Sequence, residues 1–215
     1  MLRIESLDVS IQSVGILRGV SMDVPTGRFV GLVGRNGAGK TTLMRAVMGI
    51  LPAKRGSISF DGVMLGKTPT HQRARSGIGY MPEDRRLVPQ LTVEENVLIP
   101  AWSGGMKDAQ ERLADVYKMI PEVEVFSDRK ALQLSGGQQK LVALARALMC
   151  GTKLLLLDEP FEGVAPVLAK RLAEVIAGLK QRGLSIVLTE SDLTHSRELL
   201  DVIYSIDRGQ VSVAG

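Results

Sequence analysis

Short aliphatic runs and helix-spaced apolar positions take turns along most of the chain. Met1–Ile11 and Ile16–Val24 read as strands, alternating or β-branched and separated by Ser13 and Gly15. Pro25-Thr26-Gly27 marks a turn. Phe29–Val33 is apolar without interruption, the pattern of a parallel strand buried on both faces. A glycine-rich loop follows, then a helix expected over Lys40–Met48 with Leu43, Ala46 and Val47 on one face and Gly49 as its stop. Ser57–Phe60 and Ile78–Met81 are further short strands. Thr92 with Glu95 three residues on forms a capping box and starts a helix over Thr92–Leu98. Leu113, Val116, Tyr117 and Ile120 line one side of a helix over Asp108–Ile120, and Ser135 caps another that runs to Cys150. The remainder reads as strand Lys153–Leu157, helix Val167–Gln181, strand Ser185–Thr189, helix Leu193–Leu200, strand Val202–Ile206 and a turn at Gly209.

Strands and helices alternate at both ends, whereas Glu83–Leu134 is mainly helical. This predicts one α/β domain over 1–215, with a core formed by 1–82 and 151–215 and a helical subdomain inserted at about 83–150. A chain of 215 residues suits one such domain, and 45% apolar residues can fill its core. The formal charge is +4, and no dense basic stripe with interleaved aromatics is present, so nucleic acid is not an expected partner. The single cysteine, Cys150, permits no internal disulfide and fits a reducing compartment. No apolar run approaches the roughly 20 residues of a spanning helix. The first residues, Met1-Leu2-Arg3-Ile4-Glu5, are unlike a signal peptide.

Three stretches carry candidate chemistry. Gly34-Arg35-Asn36-Gly37-Ala38-Gly39-Lys40-Thr41-Thr42 fits GxxxxGKS/T between a strand and a helix. Gly34, Gly37 and Gly39 let successive N–H groups point at phosphate oxygens, and the following helix adds its positive end. Lys40 is expected on the β- and γ-phosphates of ATP, with the Thr41 hydroxyl on Mg²⁺. Leu154-Leu155-Leu156-Leu157 ends in Asp158 and Glu159, two carboxylates at the edge where α/β sheets place ligand chemistry. Asp158 suits Mg²⁺, and Glu159 is placed to orient and polarise the attacking water. Leu134-Ser135-Gly136-Gly137-Gln138-Gln139-Lys140 caps a helix behind two glycines, an anion site without a lysine of its own. A second anion site makes sense if two chains pair head to tail, each covering the other's ATP.

Phosphate loop, LSGGQ and LLLLDEP, in that order and over essentially the whole chain, resemble the ATPase subunit of ABC transporters. The resemblance implies a P-loop NTPase (RecA-like) core with an antiparallel β edge subdomain and an inserted helical subdomain. It also implies that Ser135, Gly136, Gly137 and Gln138 meet the nucleotide held by the partner's Lys40. ATP would then hold two subunits together on the cytoplasmic face of the membrane, peripherally, beneath separate permease subunits. Within the family the chain looks like the shorter ATPase of branched-chain amino acid importers. Met81-Pro82-Glu83-Asp84-Arg85-Arg86, Leu91-Thr92-Val93-Glu94-Glu95-Asn96, Arg146-Ala147-Leu148-Met149 and Glu162-Gly163-Val164-Ala165-Pro166 carry that likeness. In that group Glu often stands where most relatives have the Gln of the loop that meets nucleotide and metal, and here it is Glu83. The group implies a heterodimer of two ATPases in the cell, homodimers in isolation, and a solute-binding protein acting indirectly. Urea and amide, sugar and lipopolysaccharide transport systems share parts of the pattern, and a weakly hydrolysing regulator is a further alternative.

Two positions depart from the family pattern. The strand residue that usually stacks on adenine is aromatic, and no aromatic lies between Met1 and Val24, so Ile11 or Val14 is expected against the base. Where a switch His usually contacts the γ-phosphate, the chain has Ser191, short enough to need a bridging water. His195, four residues on, is a candidate to substitute for the switch His and otherwise reads as a surface residue.

Overall fold

The alternation at the start of the chain folds as a hairpin. In the computed structural model, which describes residues 1–214, Leu2–Ile11 (β1) and Val14–Val24 (β2) pair antiparallel, with Leu2 opposite Val24 and Ile11 opposite Val14. The turn falls at Gln12 and Ser13, with Gln12 at φ 56, and Gly15 lies inside β2. The hairpin is therefore tighter than the expected break at Ser13 and Gly15. Phe29–Val33 (β3) leads through the glycine-rich loop into Lys40–Val47 (α1). Arg55–Phe60 (β4) and the two-residue Val63–Met64 (β5) complete an antiparallel sheet in the order β2-β1-β4-β5.

Thr70–Arg75 (α2) precedes Ile78–Met81 (β6). Arg73 of α2 is 4% exposed and donates to the carbonyls of Ala46 (3.0 Å), Val47 (2.7 Å), Leu65 (2.6 Å) and Thr68 (2.7 Å). Its charge thus meets the carbonyls at the C-terminal end of α1. The helical stretch comprises Val93–Gly104 (α3), Ala109–Met119 (α4), Pro121–Val125 (α5) and Gly136–Cys150 (α6). Thr92 and Ser135 each close a capping box at the start of their helices. Leu154–Asp158 (β7), Pro166–Gln181 (α7), Ser185–Glu190 (β8), Val202–Asp207 (β9) and Gln210–Val213 (β10) follow.

The second sheet runs β10-β9-β3-β8-β7-β6, parallel except for β10 on β9. Its strands are apolar because both faces are covered. Leu155 and Leu157 of β7 face one hydrophobic cluster and Leu154 and Leu156 the other. The first cluster runs without a break from α3–α6 to β7 and α7, while the second joins α1 to the antiparallel sheet.

The expected helix over Leu193–Leu200 does not form. A single 3₁₀ turn spans Arg197–Leu199. Asp192 accepts the Thr194 N–H at 2.8 Å, a local side-chain turn that competes with helix initiation. Leu200 is already extended (ψ 134) for entry into β9. The chain beyond Gly209 forms β10, which the periodicity did not indicate.

Candidate functional site

The loop between β3 and α1 is shaped by glycines. A Cβ on Gly34 would lie 2.2 Å from the Ile206 carbonyl oxygen, so only glycine lets the loop approach β9 this closely. Gly39 caps α1 at φ 116, a conformation other residues rarely adopt. The loop and the start of α1 border a cavity of about 450 Å³, lined by Ile16, Asn36, Gly37, Gly39, Lys40, Thr41, Thr42, Glu83 and Glu159. On its other side Gly34, Arg35 and Ala38 border a second cavity with Ser205–Arg208.

Lys40 is 4% exposed. Its ammonium lies 2.9 Å from Glu159 Oε1, donates to the Arg35 carbonyl at 3.2 Å and also donates to that of Gly34. The loop thus closes on its own cation, and Glu159 holds the place where an anion would compete for it. Thr41 Oγ1 donates to Asp158 Oδ1 at 3.2 Å. Asp158 is fully buried, and its carboxylate also accepts from Thr189 Oγ1 (2.7 Å) and the Tyr80 hydroxyl (3.2 Å). Burial pushes the Asp158 carboxyl up, and the three hydroxyl bonds offset part of that rise. Glu159 adopts φ 50, a strained region for a non-glycine residue. Its N–H meets the Thr189 carbonyl (3.2 Å) and Thr189 Oγ1 (3.1 Å).

Ser191 Oγ donates to Glu159 Oε2 at 3.0 Å. The hydroxyl therefore reaches the carboxylate directly, a contact the sequence reading did not foresee. His195 is exposed and its ring lies 5.8 Å from that of Phe161. Glu83 is exposed at the rim of the phosphate-loop cavity. Desolvation, with the nearby charges of Glu162, Asp158, Glu159 and Asp84, holds its carboxyl above the usual range.

Ile11 and Val14 line neither loop cavity; Ile16, two residues further along β2, lines the first. The shortened hairpin turn explains the shift, because it keeps Ile11 and Val14 paired at its tip. Ser135 Oγ accepts the Gln138 N–H at 3.3 Å, and Gln138 Oε1 accepts the Ser135 N–H at 3.0 Å. The N–H groups of Gly136 and Gly137 are left without an intrahelical acceptor. None of Ser135, Gly136, Gly137 and Gln138 lines the phosphate-loop cavity of its own chain.

Residues 17–162 match the family model described as ABC transporter. The chain belongs to the ABC transporter family. It is 34% identical to the high-affinity branched-chain amino acid transport ATP-binding protein BraG of Pseudomonas aeruginosa, over 98% of this chain and 91% of that one. It is 33% identical to the lipopolysaccharide export system ATP-binding protein LptB of Haemophilus influenzae, over 100% and 90%. A solved ATP-binding subunit of an ABC transporter superposes with TM-score 0.87 at 27% identity, covering 100% of this chain and 89% of that one. An ATP-binding cassette solved as a dimer with ADP and Pi matches with TM-score 0.87 at 25% identity, over 99% and 97%.

The ABC protein is thus an ATPase, and ATPases of this family dimerise and work with membrane permease components. No helix among its described residues is long and apolar enough to cross a membrane. Nor is any group of three or more His, Cys, Asp or Glu among them arranged to hold a metal alone. The hard oxygens of Thr41 and Asp158, 3.2 Å apart beside the loop, are the donor type that would suit Mg²⁺.

Proposed function

We propose that this ATPase energises uptake of branched-chain amino acids or a related small polar solute. It would pair with a second, different ATPase beneath the permease, on the cytoplasmic face of the membrane, with a solute-binding protein delivering the cargo. The observation that carries the hydrolytic role is the Glu159 carboxylate, held between Lys40 Nζ at 2.9 Å and Ser191 Oγ at 3.0 Å at the phosphate-loop cavity. The likeness to BraG supports the cargo, together with Glu83 and the Ala165-Pro166 ending of the loop after Glu159.

The loop amides of Gly34, Arg35, Asn36, Gly37, Ala38, Gly39, Lys40, Thr41 and Thr42 bind the phosphates, and Ile16 takes the base-side position first expected of Ile11. Lys40 exchanges Glu159 for the β- and γ-phosphates. Glu159, released from Lys40 and still held by Ser191, orients and polarises the attacking water. Thr41, Asp158 and Glu83 would hold Mg²⁺, which supplies charge neutralisation on the phosphates. Ser135, Gly136, Gly137 and Gln138 of one subunit close over the nucleotide of the other. Residues 83–150 act as the helical subdomain inserted between core segments 1–82 and 151–215.

The test is uptake of labelled leucine in a strain lacking this chain. Uptake should be lost, restored by the wild type and not restored by Glu159→Gln. The 33% identity to LptB supports lipopolysaccharide export as a second reading. Intact leucine uptake with a lipopolysaccharide defect would replace the first reading by the second.

A further inference from the structure

Lys140 has no part in the site described so far, yet it is 5% exposed on α6. A buried ammonium is costly unless its donors are matched. Its three hydrogen bonds all go to the main chain of one turn. Nζ donates to the carbonyls of Glu159 (2.9 Å) and Pro160 (3.1 Å), and to that of Glu162. This is the turn in which Glu159 holds its strained φ of 50. In the same turn the Phe161 N–H donates to Glu190 Oε1 at 3.4 Å. The turn is thus gripped by α6 and by the end of β8.

Helix α6 begins at Gly136, four residues before Lys140, so the two are about one helical turn apart. Its first turn carries the unpaired N–H groups of Gly136 and Gly137. Gly137 also packs closely on Leu168 of α7, the helix that follows the gripped turn; a Cβ there would come 2.4 Å from Leu168 Cδ2. Any displacement of the α6 N-terminus is passed by these contacts to the backbone bearing Glu159.

We infer that Lys140 is a positioning residue for Glu159: through three carbonyls of the 159–162 turn it couples the α6 N-terminus, which faces the partner's nucleotide, to the carboxylate that works on its own subunit's nucleotide. The inference rests on the roles proposed above for Glu159 and α6. It makes one subunit's carboxylate sensitive to whether the neighbouring nucleotide is in place.

The test compares wild type, Lys140→Met and Lys140→Arg in steady-state ATPase assays, with melting temperature recorded for each. Lys140→Met keeps the aliphatic stem and removes the donors; Lys140→Arg keeps a buried cation with donors. The expected result is a kcat about 10- to 100-fold lower in Lys140→Met, the scale of a carboxylate misplaced by about 1 Å, with KM for ATP within about twofold. Lys140→Arg should recover part of the lost kcat. Should Lys140→Met fail to fold, Lys140→Gln carries the same test, with lowered kcat at unchanged KM as the supporting result. An unchanged kcat on loss of the ammonium overturns the inference. So does a fall in kcat, ATP affinity and melting temperature together in both the neutral and the Arg variants, which would make Lys140 structural. Both of those outcomes leave the ATPase reading standing. Absence of turnover in the wild type, with its permease present, would instead overturn the role of Glu159, and this inference with it.

Discussion

Glu159 combines a strained backbone with a carboxylate held by two side-chain partners, Lys40 and Ser191, and each partner has a separable effect. Replacing Glu159 by Gln keeps the shape and removes the charge that polarises water. Phosphate release should fall about 10²- to 10⁴-fold, while ATP binding measured by equilibrium titration is retained. Ser191→Ala removes one hydrogen bond to a charged group, so kcat should drop about tenfold with KM little changed. An unaltered kcat would mean that Ser191 does not orient the carboxylate. Glu190 titrates differently. Burial pushes its carboxyl up to about 8, with Glu159 adding to the rise and the Phe161 N–H and Lys140 opposing it. The folded state therefore holds a proton that the unfolded state releases above its ordinary carboxylate pKa. That stability is present at acid pH and lost as pH rises toward about 8. Glu190→Gln should flatten the fall of melting temperature between pH 5 and 8, by about 5 °C at the upper end. Lys40, Thr41, Asp158 and Glu159 were legible because two local motifs contain them. Thr189, Tyr80 and Lys140 were not, since only the pairing of β7 with β6 and β8 and the packing of α6 bring them to Asp158 and Glu159.

Elements with local start signals were read well, and those decided by tertiary context were not. Thr92 shows the first case: its Oγ1 accepts the Glu95 N–H at 3.1 Å, and its own N–H meets Glu95 Oε2 at 2.7 Å, as the residue spacing implied. Thr92→Ala should lower stability by about 1 kcal/mol, or about 2–4 °C in melting temperature. The ATPase rate at saturating ATP should stay within about twofold, since no residue of α3 lines the phosphate-loop cavity; a larger loss would show that its entry helps to set the site. The 193–200 stretch shows the second case. Leu193, Leu199 and Leu200 mimic helical spacing, but Leu199 and Leu200 pack against the main cluster from a 3₁₀ turn and an extended residue. Helix α2 and strand β5 are too short to show a period at all. The position of Ile16 rather than Ile11 at the cavity follows from a hairpin turn whose register no local pattern specifies.

At the level of the whole molecule, the alternation of strands and helices gave the α/β class, while the sheet order did not follow from it. Strand β3 lies between β8 and β9, strands separated from it by more than 150 residues, and only the folded chain supplies that order. The order sends the phosphate loop, the β7 carboxylates and Ser191 to one edge of the sheet. The α6 N-terminus is left outside that cavity, and in the reading proposed above it completes the site of another copy or a related subunit. Composite sites make a quantitative demand on mixtures of inactive variants. Lys40→Ala disables the phosphate loop of its own subunit, and Ser135→Arg disables the surface offered to the partner. In a mixed dimer both defects fall in one site, and the other site is intact. Equal mixing at random places such dimers at half of the population, each with half of its sites working, so turnover should recover to about a quarter of the wild-type rate. Each variant alone should stay near background. A mixture no more active than its components, with dimers confirmed by light scattering, would show that Ser135 and Lys40 do not act on the same nucleotide.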